Sequence, residues 1–283
     1  MKAVSALRYY RLLAATLWLA LSHFAVAEAC KAPDFEQNVS GHEQCLRMRR
    51  YGSSAPEVML VWLHGDVSSG GPADYHFPIA RKAAEKFSAA NLLSIALVRP
   101  GYPDGSGEIS TSSEPLRQRY DHYTKENIKE VAAAIQHLRD KFKPGKVIAI
   151  GHSGGAATSA LIMGMNPGLL DAAVLVACPC NLAQWRSGGG KRPWYNSEDP
   201  MKWVNKIDPA THVIALTGRN DSNTFPEIAE SYIQALQARK INAEFQILNG
   251  ENHNNAFRAA EVFDAVQKMI AAKSTRAVHA KAQ

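Results

Sequence analysis

Ser153 stands in Gly151-His152-Ser153-Gly154-Gly155, a G-x-S-x-G pattern. A serine hydroxyl is a weak nucleophile until a base takes its proton and the backbone pushes it into the open. Glycines on both sides allow a turn too sharp for Cβ atoms, on which the serine takes strained angles above a sheet. Such a turn needs a strand before it and a helix after it. Residues 147–150 are a short, apolar, β-branched run and read as a buried strand. Residues 156–165 are small and apolar, suited to a helix packed close behind, with Ser153 at its positive end. With those flanks the pattern predicts a nucleophile elbow; without them it would be a Gly/Ser-rich loop with no chemistry.

Elements able to hold such a serine run along the whole chain. Val58–Leu63 and residues 92–98, 172–177 and 212–217 are mostly apolar runs of strand length, and residues 243–248 read as the last strand. Between them lie helical patterns at 75–90, 121–142, 226–238 and 256–272. In the second, Ile128, Val131, Ala132, Ile135 and Leu138 recur at helical spacing before Pro144-Gly145 ends it. Residues 34–50 alternate polar and apolar about Ser40-Gly41 and read as a leading hairpin. Alternating strands and helices with apolar strands predict an α/β fold: a mostly parallel sheet of about eight strands, covered on both faces. The 178–211 connection between the sixth and seventh strands is longer than a compact domain needs. It holds Trp185, the glycines 188–190, Trp194 and Tyr195, and we read it as a short cap lending aromatics to a binding site.

The ends of the chain read differently. Lys2, Arg8 and Arg11 precede an apolar run at 12–20 and an Ala25-Val26-Ala27 cleavage pattern, so residues 1–27 are expected to be a secretory signal peptide. The apolar run is short for a membrane span, and Ala27-Glu28-Ala29 before Cys30 is a poor lipoprotein signal. The mature chain, 28–283, then reads as one domain, exported to the periplasm rather than fully secreted. Residues 274–283 are expected to be a disordered tail. The leader carries three basic residues and no acid, so a net charge of +6 falls to +3. That modest charge, with no basic tract interleaved with aromatics, argues against nucleic acid as a partner. The four cysteines, Cys30, Cys45, Cys178 and Cys180, suit disulfides in an exported chain. Cys30 with Cys45 would tie the N-terminus to the hairpin. Cys178 and Cys180 would close a very small ring or stay buried thiols. No second Cys or His pair stands at metal-ligand spacing, and no cofactor is expected.

With strand order, elbow and position in hand, the chain resembles the α/β-hydrolases over nearly its whole mature length. That resemblance implies an acid and then a histidine, each on a loop after a later strand. Gly218-Arg219-Asn220-Asp221 is similar to the family's G-x-x-D turn and makes Asp221 the acid, with Asp208, before the strand, as the fallback. His253 precedes the last helix, where the family places its base; His137 and His279 read as ordinary. Histidine would take the serine proton and aspartate would hold the imidazole. The family draws one oxyanion N–H from the residue after the nucleophile, Gly154 here. The other comes from the loop after Val58–Leu63, where His64-Gly65 resembles the H-G signature and points to Asp66, with Val67 adjacent. The Asp66 carboxylate would oppose an oxyanion unless turned away or paired, and Arg99 is a conceivable partner. His64, Tyr102 and Trp185 are the candidate pocket residues.

A serine nucleophile argues against dehalogenase chemistry, and the polar, glycine-rich insert argues against a lipase lid. Residues 179–185 and 235–241 are similar to free-standing catalytic domains of the prolyl-oligopeptidase type. The resemblance therefore implies an exported serine hydrolase cleaving small carboxylic esters through an acyl-enzyme. The alternatives are a prolyl-oligopeptidase-type peptidase acting on short peptides and a non-catalytic binding protein on the same scaffold.

Overall fold

Alternation at a period of two decides which way each strand's side chains face, and in β3 (Val58–Leu63) both faces are apolar. Val58, Leu60 and Trp62 join one buried cluster while Met59, Val61 and Leu63 join another. A strand buried on both faces must sit inside a sheet with helices on either side. The computed structural model describes residues 30–67, 70–113, 122–188 and 190–272. The signal peptide expected at 1–27 and the tail expected at 274–283 lie outside the described residues.

The remaining strands are β1 (Asn38–Ser40), β2 (Cys45–Gly52), β4 (Leu92–Leu97), β5 (Lys146–His152), β6 (Ala172–Val176), β7 (His212–Gly218) and β8 (Asn242–Leu248). They form one eight-stranded sheet in the order β1-β2-β4-β3-β5-β6-β7-β8. β1 and β2 are the expected antiparallel hairpin, and β2 runs antiparallel to β4; every other pairing is parallel. On one face lie α2 (Lys125–Phe142), α3 (Gly154–Met165) and α6 (Pro226–Ala238); on the other lie α1 (Phe77–Lys86) and α7 (Ala260–Ala271). The helix expected over 256–272 begins as a 3-10 turn at Ala256–Arg258 and restarts at Ala260, beyond Ala259 in extended backbone.

Three polar groups tie layers together. Trp62 Nε1 donates to Ser94 Oγ at 2.9 Å, and Ser94 donates to the Ala80 carbonyl of α1 at 2.7 Å. Glu130 of α2 accepts the backbone N–H groups of His42, Glu43 and Gln44, pinning the hairpin turn to the helix. Lys146 Nζ donates to the carbonyls of Met269, Ile270 and Ala272, where the orphan acceptors of α7 attract a cation.

Both cysteine pairs are bonded, Cys30 to Cys45 and Cys178 to Cys180. The 178–211 connection carries two short helices, α4 (Leu182–Gly188) and α5 (Pro200–Trp203). Asp199 joins them: its carboxylate accepts from Met201 N at the start of α5 and from Leu182 N and Ala183 N of α4. No helix among the described residues is long and apolar enough to cross a membrane.

Candidate active site

The elbow forms where the glycine pattern places it. β5 ends at His152, Ser153 takes φ 51° and ψ −116°, and α3 starts at Gly154. This left-handed angle is costly for a serine and is held by the Ser153 N–H bond to Val176 O at 2.8 Å and by the helix behind. A Cβ on Gly151 would strike the Gly155 carbonyl, and one on Gly155 would strike the Leu63 carbonyl, so no other residue fits either place.

Three loops at the carboxyl edge of the sheet meet over this serine. Ser153 Oγ lies 3.1 Å from His253 Nε2, and His253 Nδ1 lies 2.9 Å from Asp221 Oδ2. Asp221 is buried, and its other oxygen accepts the N–H groups of Asn223 and Thr224 at 2.9 and 2.8 Å. Burial alone would raise the Asp221 pKa. The bond to His253, its charge and the Thr224 donors outweigh that and hold the carboxyl below its ordinary value. The Thr224 hydroxyl lies 2.8 Å from Asp221 Oδ2, 3.1 Å from His253 Nδ1 and 3.1 Å from the Ala177 carbonyl, stitching the acid loop to the end of β6. Asp208 is not part of this cluster; its carboxylate accepts from Ala210 N before β7.

His152, between glycine and serine, holds the base from behind. Gly65 N–H donates to Tyr75 Oη at 2.5 Å, Tyr75 donates to His152 Nδ1 at 2.7 Å, and His152 Nε2–H donates to the His253 carbonyl at 2.8 Å. These directions require a neutral imidazole. Burial, with the nearby His253 adding to it, pushes the His152 pKa down to about 4. Burial likewise pushes Tyr75 up to about 12, keeping its proton on the phenol. One chain of bonds therefore joins the glycine loop after β3 to the loop carrying His253.

Asp66 is paired with Arg99, the partner considered from the sequence. Asp66 Oδ1 accepts from the Arg99 guanidinium, and Oδ2 accepts from Tyr123 Oη at 2.8 Å. Burial opposes the charge, but Arg99, His122 and the Tyr123 hydroxyl outweigh it and draw the Asp66 pKa to about 2. The carboxylate lies where a Cβ of Gly154 would be, so only glycine leaves room for it. The N–H groups of Asp66 and Gly154 make no hydrogen bond among the described residues.

A cavity of about 610 Å³ opens above Ser153, walled by Asp66, Val67 and Tyr75 on one side and Trp185 and Trp194 on another. Trp185 lines it, anchored by Nε1–H to the Asn223 carbonyl at 2.7 Å. His64 and Tyr102 do not line it and need correction. His64 is fully buried, with Nδ1 donating to Gly65 O at 2.7 Å and Nε2 accepting Arg99 N–H at 2.9 Å. Tyr102 packs behind the wall under the Arg99 guanidinium, its hydroxyl 3.3 Å from Arg99 and 3.4 Å from Asp66. Both serve the loop that carries Asp66 rather than the cavity. Thr224 and Tyr75 were missed from the sequence. Thr224 could have been found, since a threonine three residues after an aspartate in a turn is placed to bond it. Tyr75 had no such signal.

No group of His, Cys, Asp and Glu among the described residues could hold a metal ion. Residues 102–271 match the prolyl oligopeptidase family. No curated protein matches the chain. Among solved structures, an esterase of Pyrococcus furiosus is 14% identical, covering 82% of this chain and 89% of its own, at a TM-score of 0.60. Est1E of Butyrivibrio proteoclasticus, solved with ferulic acid bound, is 14% identical over 82% of this chain and 97% of its own, at a TM-score of 0.61. An acylaminoacyl peptidase is 11% identical over 84% of this chain and 41% of its own, at a TM-score of 0.62. At these identities the likeness shows the α/β-hydrolase fold.

Proposed function

The chain belongs to the prolyl oligopeptidase family, within the serine hydrolases of α/β-hydrolase fold, and from that premise we propose that it is an exported carboxylesterase. One observation carries the reading: Ser153 Oγ, 3.1 Å from His253 Nε2, lies at the floor of an open cavity with Asp221 behind the histidine. His253 Nε2 takes the hydroxyl proton as Ser153 attacks the ester carbonyl carbon, and Asp221 keeps the proton on Nδ1 and balances the imidazolium. The tetrahedral oxyanion is received by the N–H groups of Gly154 and Asp66, which need no rearrangement to donate. Collapse breaks the ester C–O bond, and the proton on Nε2 goes to the departing alkoxide. A water deprotonated by the same nitrogen then hydrolyses the acyl-enzyme. The Asp66 charge, which would oppose the oxyanion, is offset by Arg99 a bond away. No step calls for a metal or cofactor, and the substrate is a small ester.

The experiment is fluorophosphonate labelling of the chain from Glu28 beside Ser153→Ala, read by intact mass. One adduct on the wild type and none on the variant is expected; no adduct on a folded wild type sinks the esterase reading and favours a binding protein. A second reading, a peptidase cleaving short peptides, is favoured by the family match over residues 102–271. Amides need the departing nitrogen protonated, which simple esters do not, so a panel of aminoacyl and Xaa-Pro anilides beside esters discriminates. Export to the periplasm is the reading of residues 1–27, and two disulfides suit an oxidising compartment. N-terminal sequencing of the protein from its native host should begin at Glu28; an intact Met1 would overturn it.

A further inference from the structure

Two consecutive carbonyls where β6 ends beside the elbow brace opposite sides of the triad. Val176 O, the last of β6, accepts the Ser153 N–H at 2.8 Å, and Ala177 O accepts the Thr224 hydroxyl at 3.1 Å. The Thr224 oxygen lies 2.8 Å from Asp221 Oδ2 and 3.1 Å from His253 Nδ1. One carbonyl thus steadies the nucleophile and the next the acid–base pair. The direction of the Ala177 carbonyl is set by its own backbone angles, and φ there is 50°. That left-handed angle is uncommon for a residue with a Cβ and lasts only where the surroundings impose it. The Ala177 N–H is bonded to Leu216 O at 2.8 Å. Directly after it, Cys178 and Cys180 are joined across Pro179.

This disulfide is poorly suited to stapling the whole fold. A loop of sequence separation 2 removes little chain entropy compared with the Cys30–Cys45 loop, of separation 15. Neither sulfur needs the bond in order to be buried: both cysteines are fully enclosed in an apolar cluster, where free thiols pack as small hydrophobes. Nor does the cavity wall depend on it. The α4 helix that follows is held by Asp199 at Leu182 N and Ala183 N, and its Trp185 by the Asn223 carbonyl. What so small a ring does is fix the backbone of residues 178–180, adding to the fixed φ of Pro179. The chain leaving β6 is thereby held to one course, and the Ala177 carbonyl to one direction.

We infer that the Cys178–Cys180 disulfide is a positioning device for proton transfer: by fixing the chain after Ala177 it keeps the Thr224 hydroxyl, and through it Asp221 and His253, in register with Ser153. This rests on the esterase reading above. The test is a cycle of Cys178→Ala/Cys180→Ala and Thr224→Val, with Cys30→Ala/Cys45→Ala as the comparison. On p-nitrophenyl acetate, removing the 178–180 bond should lower kcat about tenfold, as losing the Thr224 contact does, with KM within about twofold and a urea midpoint close to that of the wild type. The same removal in Thr224→Val should lower kcat by less than about twofold more, because both act through one contact. Removing the Cys30–Cys45 bond should do the reverse, lowering the urea midpoint and leaving kcat unchanged. The inference is overturned by an unchanged kcat or by a loss that multiplies with that of Thr224→Val. A ring variant too unstable to fold makes the bond a staple and overturns it too. If the wild type turns over no ester, the esterase reading has failed on its own, and proton NMR decides this one. The downfield Nδ1–H signal of His253, identified by its loss in His253→Gln, should be present in the wild type and lost or broadened in Cys178→Ala/Cys180→Ala. A signal missing from the wild type, or equally sharp in both, overturns the inference.

Discussion

Replacing Arg99 by Met should expose how the loop beside the nucleophile is held. The guanidinium is almost fully buried and bonds Asp66, while the Asp66 carboxylate is itself largely enclosed. Removing one member of a buried pair leaves the other uncompensated, at about 3–5 kcal/mol. Tyr123, 2.8 Å from Oδ2, and Tyr102, 3.4 Å from Oδ1, remain as donors, which places the expected cost at the lower end, about 3 kcal/mol. In the wild type the folded pKa lies below its ordinary 3.8, at about 2. A depressed carboxylate pKa stabilises the fold above the unfolded value and loses that as pH falls through the folded one, here roughly 2 kcal/mol between pH 4 and 2. Without Arg99 the largest charge opposing desolvation is gone, Tyr123 and His122 offset it only in part, and the folded pKa is expected to rise above the unfolded one. The sign then inverts: the protonated acid is favoured on folding, and the cost of Arg99→Met grows from pH 4 to pH 7. Urea unfolding of both proteins at the two pH values measures it. Arg99→Met/Asp66→Asn should recover at least half of the loss at pH 7, because the stranded charge is gone. An equal cost at pH 4 and pH 7, or a double variant no more stable than Arg99→Met, would refute the reasoning.

Thr224→Val removes the hydroxyl shared by Asp221, His253 and Ala177. It should lower kcat by about tenfold with KM little changed, the worth of one buried hydrogen bond to a charged group; an unaltered kcat contradicts the assigned geometry. Tyr75→Phe leaves the Gly65 N–H and His152 Nδ1 without partners. Urea unfolding should show a loss of about 1–3 kcal/mol, with kcat reduced because His253 loses its support from behind. Burial depresses His152 to about 4 and His76 to about 3, from an ordinary 6.5. A histidine kept neutral by the fold stabilises above its unfolded pKa and loses that as pH falls, so the urea midpoint should drop steadily from pH 6.5 to 4. His76→Gln should flatten that slope. Replacing Cys30 and Cys45 by Ala opens a loop of sequence separation 15 and should cost about 3 kcal/mol in the same assay.

What the sequence determined by itself is local and periodic. An apolar run of six residues such as Val58–Leu63, too short for a buried helix, reads as a two-faced strand, and glycines about Ser153 between a strand and a helix read as a turn where Cβ atoms do not fit. The resemblance to the α/β-hydrolases, rather than any period in the chain, pointed to Asp221 and His253 on loops after later strands, and parallel pairing of those strands brings the loops to one edge of the sheet with Ser153. What only the tertiary structure decided is which side chains touch across those loops. Asp66 and Arg99 are 33 positions apart, Tyr75 and His152 are 77 apart, and no period links either pair. His64 and Tyr102 sit on the expected loops yet turn inward, because Arg99 draws their polar atoms behind the cavity wall. Backbone periods repeat within a few residues and can be read along a chain; contacts between loops depend on how the whole sheet brings its edge together.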